Sequence, residues 1–166
     1  ATPASTYAHI CHRDAENDIA SPLVPSSQGD IYQRYNVKLK DGVDVILGGG
    51  KRQFLPKDQG GERIDQRNLI AEMQQAGYRV VYDQTQLSQM KLGKNEKLLG
   101  LFNTSHLNYD LDRTKKNLPE PSLKQMTLAA LDILTQNKNG FFLMVEGGRI
   151  DHALHDTNAK RALQDT

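Results

Sequence analysis

The stretch from Gly140 to Asp156, GFFLMVEGGRIDHALHD, constrains the fold more than any other part of the chain. Its first half, Phe141–Val145, is an unbroken apolar run after a glycine, which is typical of a strand buried on both faces in a parallel sheet. Acids, glycines and histidines follow at once, beginning with Glu146. Ligands collect at the carboxyl ends of the strands in open parallel sheets. The stretch therefore predicts an α/β fold with a functional site directly after this strand.

The spacing of the polar residues after the strand indicates metal chemistry. If a helix begins after Gly148, Asp151 and His155 lie four residues apart on one face. A carboxylate and an imidazole so placed can share one divalent cation, with zinc the best match. Glu146 supplies a hard oxygen ligand that suits magnesium or manganese better. The other interpretation is a solvated helix start, with Asp151 near the positive end of the helix dipole and the histidines on the surface. The spacing alone leaves both open.

Short apolar runs alternate with helix-forming sequence along the rest of the chain. The predicted strands are Val43–Leu47, Arg79–Tyr82 and Lys97–Phe102. The clearest predicted helices are Asn68–Ala76 and Leu123–Gln136, the second capped by Ser122. This alternation predicts part of a doubly wound, mostly parallel sheet with flanking helices. Residues from about 14 to 30 and from 103 to 121 are polar and predict irregular excursions.

A triple glycine, Gly48–Gly50, ends the first predicted strand. Backbone N–H groups in such a turn can cradle a phosphate. However, GGGKRQF lacks the glycine spacing of a P-loop and its Lys-Ser/Thr ending. We therefore favour a tight exit from the strand over a phosphate cradle, and we interpret Lys51 and Arg52 as solvated.

The beginning of the chain predicts a helix from Thr2 to about His12. Thr2 fits the N-cap position and Pro3 the first helical position. Arg13, at the end of this helix, is typical of a cation that complements the helix dipole. We assign no ligand role to His9, His12 or His106.

Composition excludes several classes of function. The 166 residues are one domain's worth of chain, and the formal net charge is only +1. Aromatic residues are 6% and Trp is absent, so nothing favours a surface for stacking nucleic-acid bases. No apolar run approaches the length of a membrane span and no signal-peptide pattern is present. Cys11, the single cysteine, closes no internal disulfide and so does not fix the redox compartment.

The motif VEGGRIDHALHD closely resembles the metal-binding stretch of alkaline phosphatases. Four further stretches resemble the same family in the same order: ATPAS at Ala1–Ser5 with Arg13, DVILGGGKRQF at Asp44–Phe54, KLLGLF at Lys97–Phe102 and SLKQMTLAALDIL at Ser122–Leu134. Five motifs in one order over nearly the whole chain are much more specific than any one of them.

This resemblance implies hydrolysis of phosphate monoesters, with release of inorganic phosphate, through a phosphoserine intermediate, two zinc ions and one magnesium ion. It assigns Asp151 and His155 to one zinc ion, and Glu146 and Thr2 to magnesium. Arg13 is assigned to the phosphate. His152, next to Asp151, is assigned to adjusting the metal site without binding a metal. The resemblance also implies a periplasmic or extracellular homodimer.

The departures from the family pattern are large. The chain has no Asp-Ser pair opening a helix as nucleophile, no early metal-bridging Asp, no later Asp-His pair and no last zinc His. A catalytic zinc needs about three protein ligands, and this chain offers two to one zinc and none to the other. The chain also opens directly at a helix start, with Thr2 as N-cap, and closes in a helix-forming run that has no stop signal. We therefore expect residues 1–166 to be a single internal segment of a catalytic domain, inactive on its own.

Two other classes of function remain open on the sequence. One is a related metal-dependent phosphotransferase or sulfatase of the same fold, and the other is a non-catalytic module that binds a divalent cation. Flanking sequence with an Asp-Ser pair upstream and an Asp-His pair downstream would indicate the phosphatase.

Overall fold

The computed structural model describes residues 14–25, 42–91, 93 and 96–166. The predicted helix from Thr2 to His12 lies outside these described residues, together with Arg13 and the ATPAS motif at Ala1–Ser5.

In the part of the chain that the structure describes, three short strands form one fully parallel sheet. They are β1 (Val45–Gly48), β2 (Tyr78–Val81) and β3 (Lys97–Leu101). The strand order is β1-β3-β2, so β3 is central although it comes last in the sequence. Ile46 pairs with Leu99 on one side of β3, and Val80 pairs with Leu99 on the other. The predicted strands are thus present, with β1 beginning two residues later and β2 one residue earlier than the sequence indicated.

Seven α-helices lie within the described residues. They are α1 (Glu16–Ala20), α2 (Leu69–Gln75), α3 (Gln84–Gln89), α4 (Asp110–Lys115), α5 (Leu123–Leu134), α6 (Gly148–His155) and α7 (Ala159–Asp165). Three single turns of 3₁₀ helix cover Ser21–Leu23, Lys51–Phe54 and Lys57–Gln59. Helix α5 begins where expected and α2 begins one residue later than expected, because Ser122 and Asn68 are N-caps that accept hydrogen bonds from N–H groups of the first turn.

The sheet is covered on both faces, as parallel sheets require. Leu99 and Leu101 of β3 pack with α1 and α2, while Leu98 packs with α3 and with Met126 of α5. Alternate residues of one strand therefore supply two separate cores. These observations place the chain in the α/β class, with a small parallel sheet and flanking helices, as the sequence predicts.

The segment Phe141–Val145 corrects the sequence-based interpretation. It forms no strand, and Phe142 is 86% exposed. A strand is stabilised by hydrogen bonds to a neighbour, and β1, β2 and β3 pair with one another and not with this segment. The apolar run therefore lies largely exposed in the connection between α5 and α6.

The two polar excursions also contain more structure than the sequence indicates. Residues 14–30 include α1, and residues 103–121 include α4. A third small core joins Tyr109, before α4, to Ala153 of α6 and Ala162 of α7. The helix pair α6 and α7 is thereby attached to the excursion at 103–121.

Within the described residues, no helix is long and apolar enough to cross a membrane.

Candidate metal and phosphate site

The exits of β1 and β3 are joined by backbone hydrogen bonds. The N–H groups of Gly50, Lys51 and Arg52 donate to the carbonyl oxygens of Ser105, Asn103 and Thr104, at 2.7, 3.1 and 3.1 Å. A Cβ added to Gly49 would stand 2.2 Å from the Ser105 oxygen, so only glycine permits this approach. Because these N–H groups already have acceptors, the triple glycine is a tight strand exit, as favoured from the sequence, and these amides are not free to cradle phosphate.

Arg52 differs from its sequence-based interpretation as a solvated residue. Its Nη1 donates to Ser105 Oγ at 2.8 Å, and its guanidinium lies 3.3 Å from Glu62 Oε1 and 3.7 Å from Glu16 Oε2. Gln53 bridges the same two carboxylates through its Nε2. The carboxyl edge of β1 therefore carries a polar network that joins α1 to the strand exits.

Helix α6 has one face packed against the protein and one face exposed to solvent. Ala153 is fully buried, and Arg149 and His152 are partly buried on the same side of the helix. Asp151 and His155 lie on the exposed side, with side chains 73% and 79% exposed. The sequence produces this separation because residues three and four apart share a face of a helix.

Asp151 Oδ1 and His155 Nε2 lie 3.6 Å apart. Two ligands of a tetrahedral zinc, each about 2.0–2.1 Å from the ion, stand roughly 3.3 Å apart. The pair therefore fits one shared zinc with little movement. The helical spacing on which the metal interpretation rested is present, and so is the surface exposure on which the other interpretation rested.

The remaining candidate residues are placed unequally. Glu146 lies at the start of α6, where a Cβ added to Gly148 would be 3.7 Å from its Oε1. Thr2 and Arg13 lie outside the described residues. Among the described residues, no group of three or more His, Cys, Asp or Glu side chains is placed to hold a metal ion. The structure thus brings Asp151 and His155 together as two donors and leaves the magnesium and phosphate assignments as predictions.

His152 makes contacts that the sequence did not reveal. Its Nδ1 lies 2.8 Å from Nη1 of Arg149, and its ring meets the His106 ring edge to face with centroids 4.6 Å apart. Burial lowers the pKa of His106, and the nearby His152 and Arg149 lower it further, so the His106 ring is mainly neutral at pH 7. His106, to which the sequence assigned no role, therefore packs directly behind the helix that carries the candidate zinc ligands.

A family model described as Alkaline phosphatase matches residues 1–166, the whole chain. The chain belongs to the alkaline phosphatase family. Membership agrees with the resemblance of its five motifs and with its α/β architecture.

Individual alkaline phosphatases match over nearly all of this chain. The tissue-nonspecific isozyme of Rattus norvegicus is 39% identical over 183 residues, which cover 99% of this chain and 34% of that protein. Alkaline phosphatase 4 of Bacillus subtilis (strain 168) is 42% identical over 165 residues, covering 99% of this chain and 31% of that protein. The crystal structure of Thermus thermophilus alkaline phosphatase superposes with a TM-score of 0.77 at 37% identity, covering 98% of this chain and 30% of that one. The chain thus spans about a third of the length of these relatives.

Proposed function

We propose that the full-length product of the gene encoding this sequence hydrolyses phosphate monoesters and releases inorganic phosphate. The observation that carries the proposal is the Asp151–His155 pair, 3.6 Å apart on the exposed face of α6, in a chain of the alkaline phosphatase family. The reaction would pass through a phosphoserine whose serine lies outside residues 1–166.

The candidate residues have different roles in this proposal. Asp151 and His155 would hold one zinc ion, and Glu146 with Thr2 would hold magnesium. When bound, these ions supply positive charge that stabilises the phosphoryl oxygens. Arg13 would grip two of those oxygens through its planar guanidinium. His152 would hold the α6 side of the site through Arg149 and His106, the contacts that it makes in the structure.

The family resemblance also supports two properties of the complete protein. We propose that it is a homodimer and that it acts in the periplasm or outside the cell.

The central test compares Asp151→Asn and His155→Ala with the unaltered full-length gene product. We expect each change to reduce hydrolysis of 4-nitrophenyl phosphate by at least roughly 100-fold and to lower the zinc content of the purified protein. Leu154→Ala is the matched control, because Leu154 lies on the same exposed side of α6 and is 60% exposed. Unchanged hydrolysis and zinc content in both ligand variants would overturn the proposal. Faster cleavage of 4-nitrophenyl sulfate than of the phosphate would favour the sulfatase alternative.

Arg13 is tested by a change that conserves its charge. In Arg13→Lys, a point-charge ammonium replaces the two-pronged contact, so we expect the inhibition constant for inorganic phosphate to rise about tenfold or more. Arg67→Lys is the control, since Arg67 pairs with Glu72 at the surface. Equal inhibition constants in all three proteins would show that Arg13 does not contact phosphate.

A further inference from the structure

Tyr109 lies between two cations that come from α6 and α7. The Arg149 guanidinium carbon is 3.8 Å from the centre of its ring, and the Arg161 guanidinium carbon is 4.5 Å from it. The residue is only 6% exposed. Cations are attracted to the face of an aromatic ring, more strongly where water is excluded. The ring therefore holds the two helices through one stacked group.

The hydroxyl of Tyr109 adds a third attachment. It donates a hydrogen bond of 2.9 Å to Oδ2 of Asp156, the residue directly after α6. Burial raises the pKa of Tyr109, and the Asp156 carboxylate raises it further, so the hydroxyl keeps its proton and remains a donor at neutral pH. Arg149 and Asp156 stand at opposite ends of α6, so Tyr109 contacts this eight-residue helix at both ends.

The Arg149 guanidinium packs on this ring. Its Nε is buried and has no hydrogen-bond partner among the residues that the structure describes. Its Nη1 lies against His152, one residue after Asp151. The stacking on Tyr109 therefore connects the excursion at 103–121 to the inner face of α6, directly behind the exposed pair.

The orientation of α6 decides where Asp151 and His155 point. Atoms at the surface of a helix lie about 5–6 Å from its axis, so a rotation of about 20° moves them by roughly 2 Å, the length of a zinc–ligand bond. Both side chains are more than two-thirds exposed, so little protein surrounds them to correct such a rotation. Attachments at both ends of the helix prevent it.

We propose that Tyr109 is a positioning residue of the zinc site, which fixes the rotation of α6 through Arg149, Arg161 and Asp156. This inference rests on the proposed zinc-dependent function. The zinc ligands remain Asp151 and His155, and Tyr109 acts only through the helix that carries them.

The test measures zinc binding in the full-length gene product, by competition with a chromogenic chelator, for Tyr109→Leu and Tyr109→Phe. Leucine removes the face on which both guanidinium groups stack, so we expect zinc affinity to fall by roughly 10–100-fold, the range for groups that orient metal ligands. Phenylalanine keeps the ring and should restore the affinity to within a few-fold. Tyr82→Leu is the matched control, since Tyr82 also has a cation, Lys51 Nζ, at 5.7 Å from its ring centre.

A second measurement separates positioning from stability. Cobalt substituted for zinc reports ligand geometry through its visible absorption, so Tyr109→Leu should change that spectrum while urea unfolding shows a folded protein. Arg161→Met removes one of the two stacked cations, from a side chain that is 32% exposed, and it should also lower zinc affinity. This variant tests the inference if Tyr109→Leu does not fold. Lower stability with unchanged zinc affinity and an unchanged cobalt spectrum would overturn the inference.

Asp151→Asn distinguishes this inference from the proposed function. Retention of zinc in Asp151→Asn would contradict the proposed function and with it the present inference. Loss of zinc in Asp151→Asn, together with normal zinc affinity in Tyr109→Leu and Arg161→Met, would contradict the positioning role alone.

Discussion

At the scale of single residues, Arg63 holds together a loop whose sequence contains few apolar anchors. Its side chain is 1% exposed and donates to the carbonyl oxygens of Asn17 and Gln53 at 2.7 and 3.1 Å. It also donates to Ser21 Oγ and pairs with Asp65. A buried cation is tolerated only where such partners replace water. Arg63 therefore ties the loop between β1 and α2 to α1.

Asp65, the carboxylate partner of this cation, predicts a pH dependence of stability. Its hydrogen bond with Arg63 lowers the pKa of Asp65 below the ordinary range, so the folded protein favours the ionised form. The stabilisation is present above the unfolded pKa, about 3.9, and is lost as the pH falls through the lower folded pKa. Asp65→Asn should therefore destabilise the protein at pH 7, by less than about 1 kcal/mol because Asp65 is 42% exposed.

Urea unfolding from about pH 7 down to pH 2 measures this effect. The difference between the unaltered protein and Asp65→Asn should shrink in the acid range. Asp58→Asn, at an exposed position of the same loop, controls for the loss of one negative charge. A difference of the same size at every pH would contradict the prediction.

At the scale of elements, the start of α5 depends on a reciprocal cap. Ser122 Oγ accepts from Gln125 N at 3.2 Å, while Gln125 Oε1 accepts from Ser122 N at 2.8 Å. Ser122→Ala removes one acceptor from the first turn, so we expect a loss of about 1 kcal/mol in the free energy of unfolding. Ser88→Ala is the control, because the exposed Ser88 hydroxyl donates to Thr85 O within α3 and caps no helix start. Equal unfolding midpoints for the two variants would refute the role of the cap.

The elements that the sequence predicts well are those determined by neighbours in the chain. The cap at Ser122 and the short apolar run of Leu98–Leu101 are local signals, and both elements appear as expected. Phe141–Val145 has an equally strong apolar signal but forms no strand, because a strand also requires a hydrogen-bonding neighbour from elsewhere in the chain. Local patterns indicate which segments can form strands, and pairing decides which of them do.

In the candidate site too, the sequence predicted the local arrangement and missed the contact between distant residues. The spacing of Asp151 and His155 follows from helix geometry, so the sequence predicted their shared face. The stacking of Tyr109 between Arg149 and Arg161 joins residues 40 and 52 positions apart, and no periodic pattern reports such a contact. The available signal was an aromatic residue in an otherwise polar excursion, which on its own does not identify its partners.

At the scale of the whole molecule, the sequence predicts that residues 1–166 alone are inactive. We expect this chain alone, saturated with zinc and magnesium, to hydrolyse 4-nitrophenyl phosphate negligibly, because two zinc ligands fall short of the usual three or four. The full-length gene product under the same conditions is the control. Turnover by the short chain at about 1 per second or faster would show that it carries a complete site.

The uncovered segment Phe141–Val145 predicts self-association of this chain. Phe142 is 86% exposed beside other exposed apolar residues, and unpaired extended apolar segments pair readily with other chains. Phe142→Lys should therefore reduce concentration-dependent light scattering. Ile64→Lys adds the same charge at an apolar position that is 77% exposed in the loop between β1 and α2, and it should have a smaller effect. Equal effects would assign the association to net charge.

The central position of β3 has a consequence for synthesis on the ribosome. β1 and β2 each hydrogen-bond to β3, and β3 is the last of the three to be made. No hydrogen bond between strands of this sheet can form until Lys97–Leu101 has left the exit tunnel. Until then, the apolar residues of both earlier strands stay exposed. A nascent chain arrested before Lys97 emerges should be cut freely by protease within β1 and β2. In a chain arrested after Leu101 and α5 have emerged, β1 and β2 should both resist cleavage.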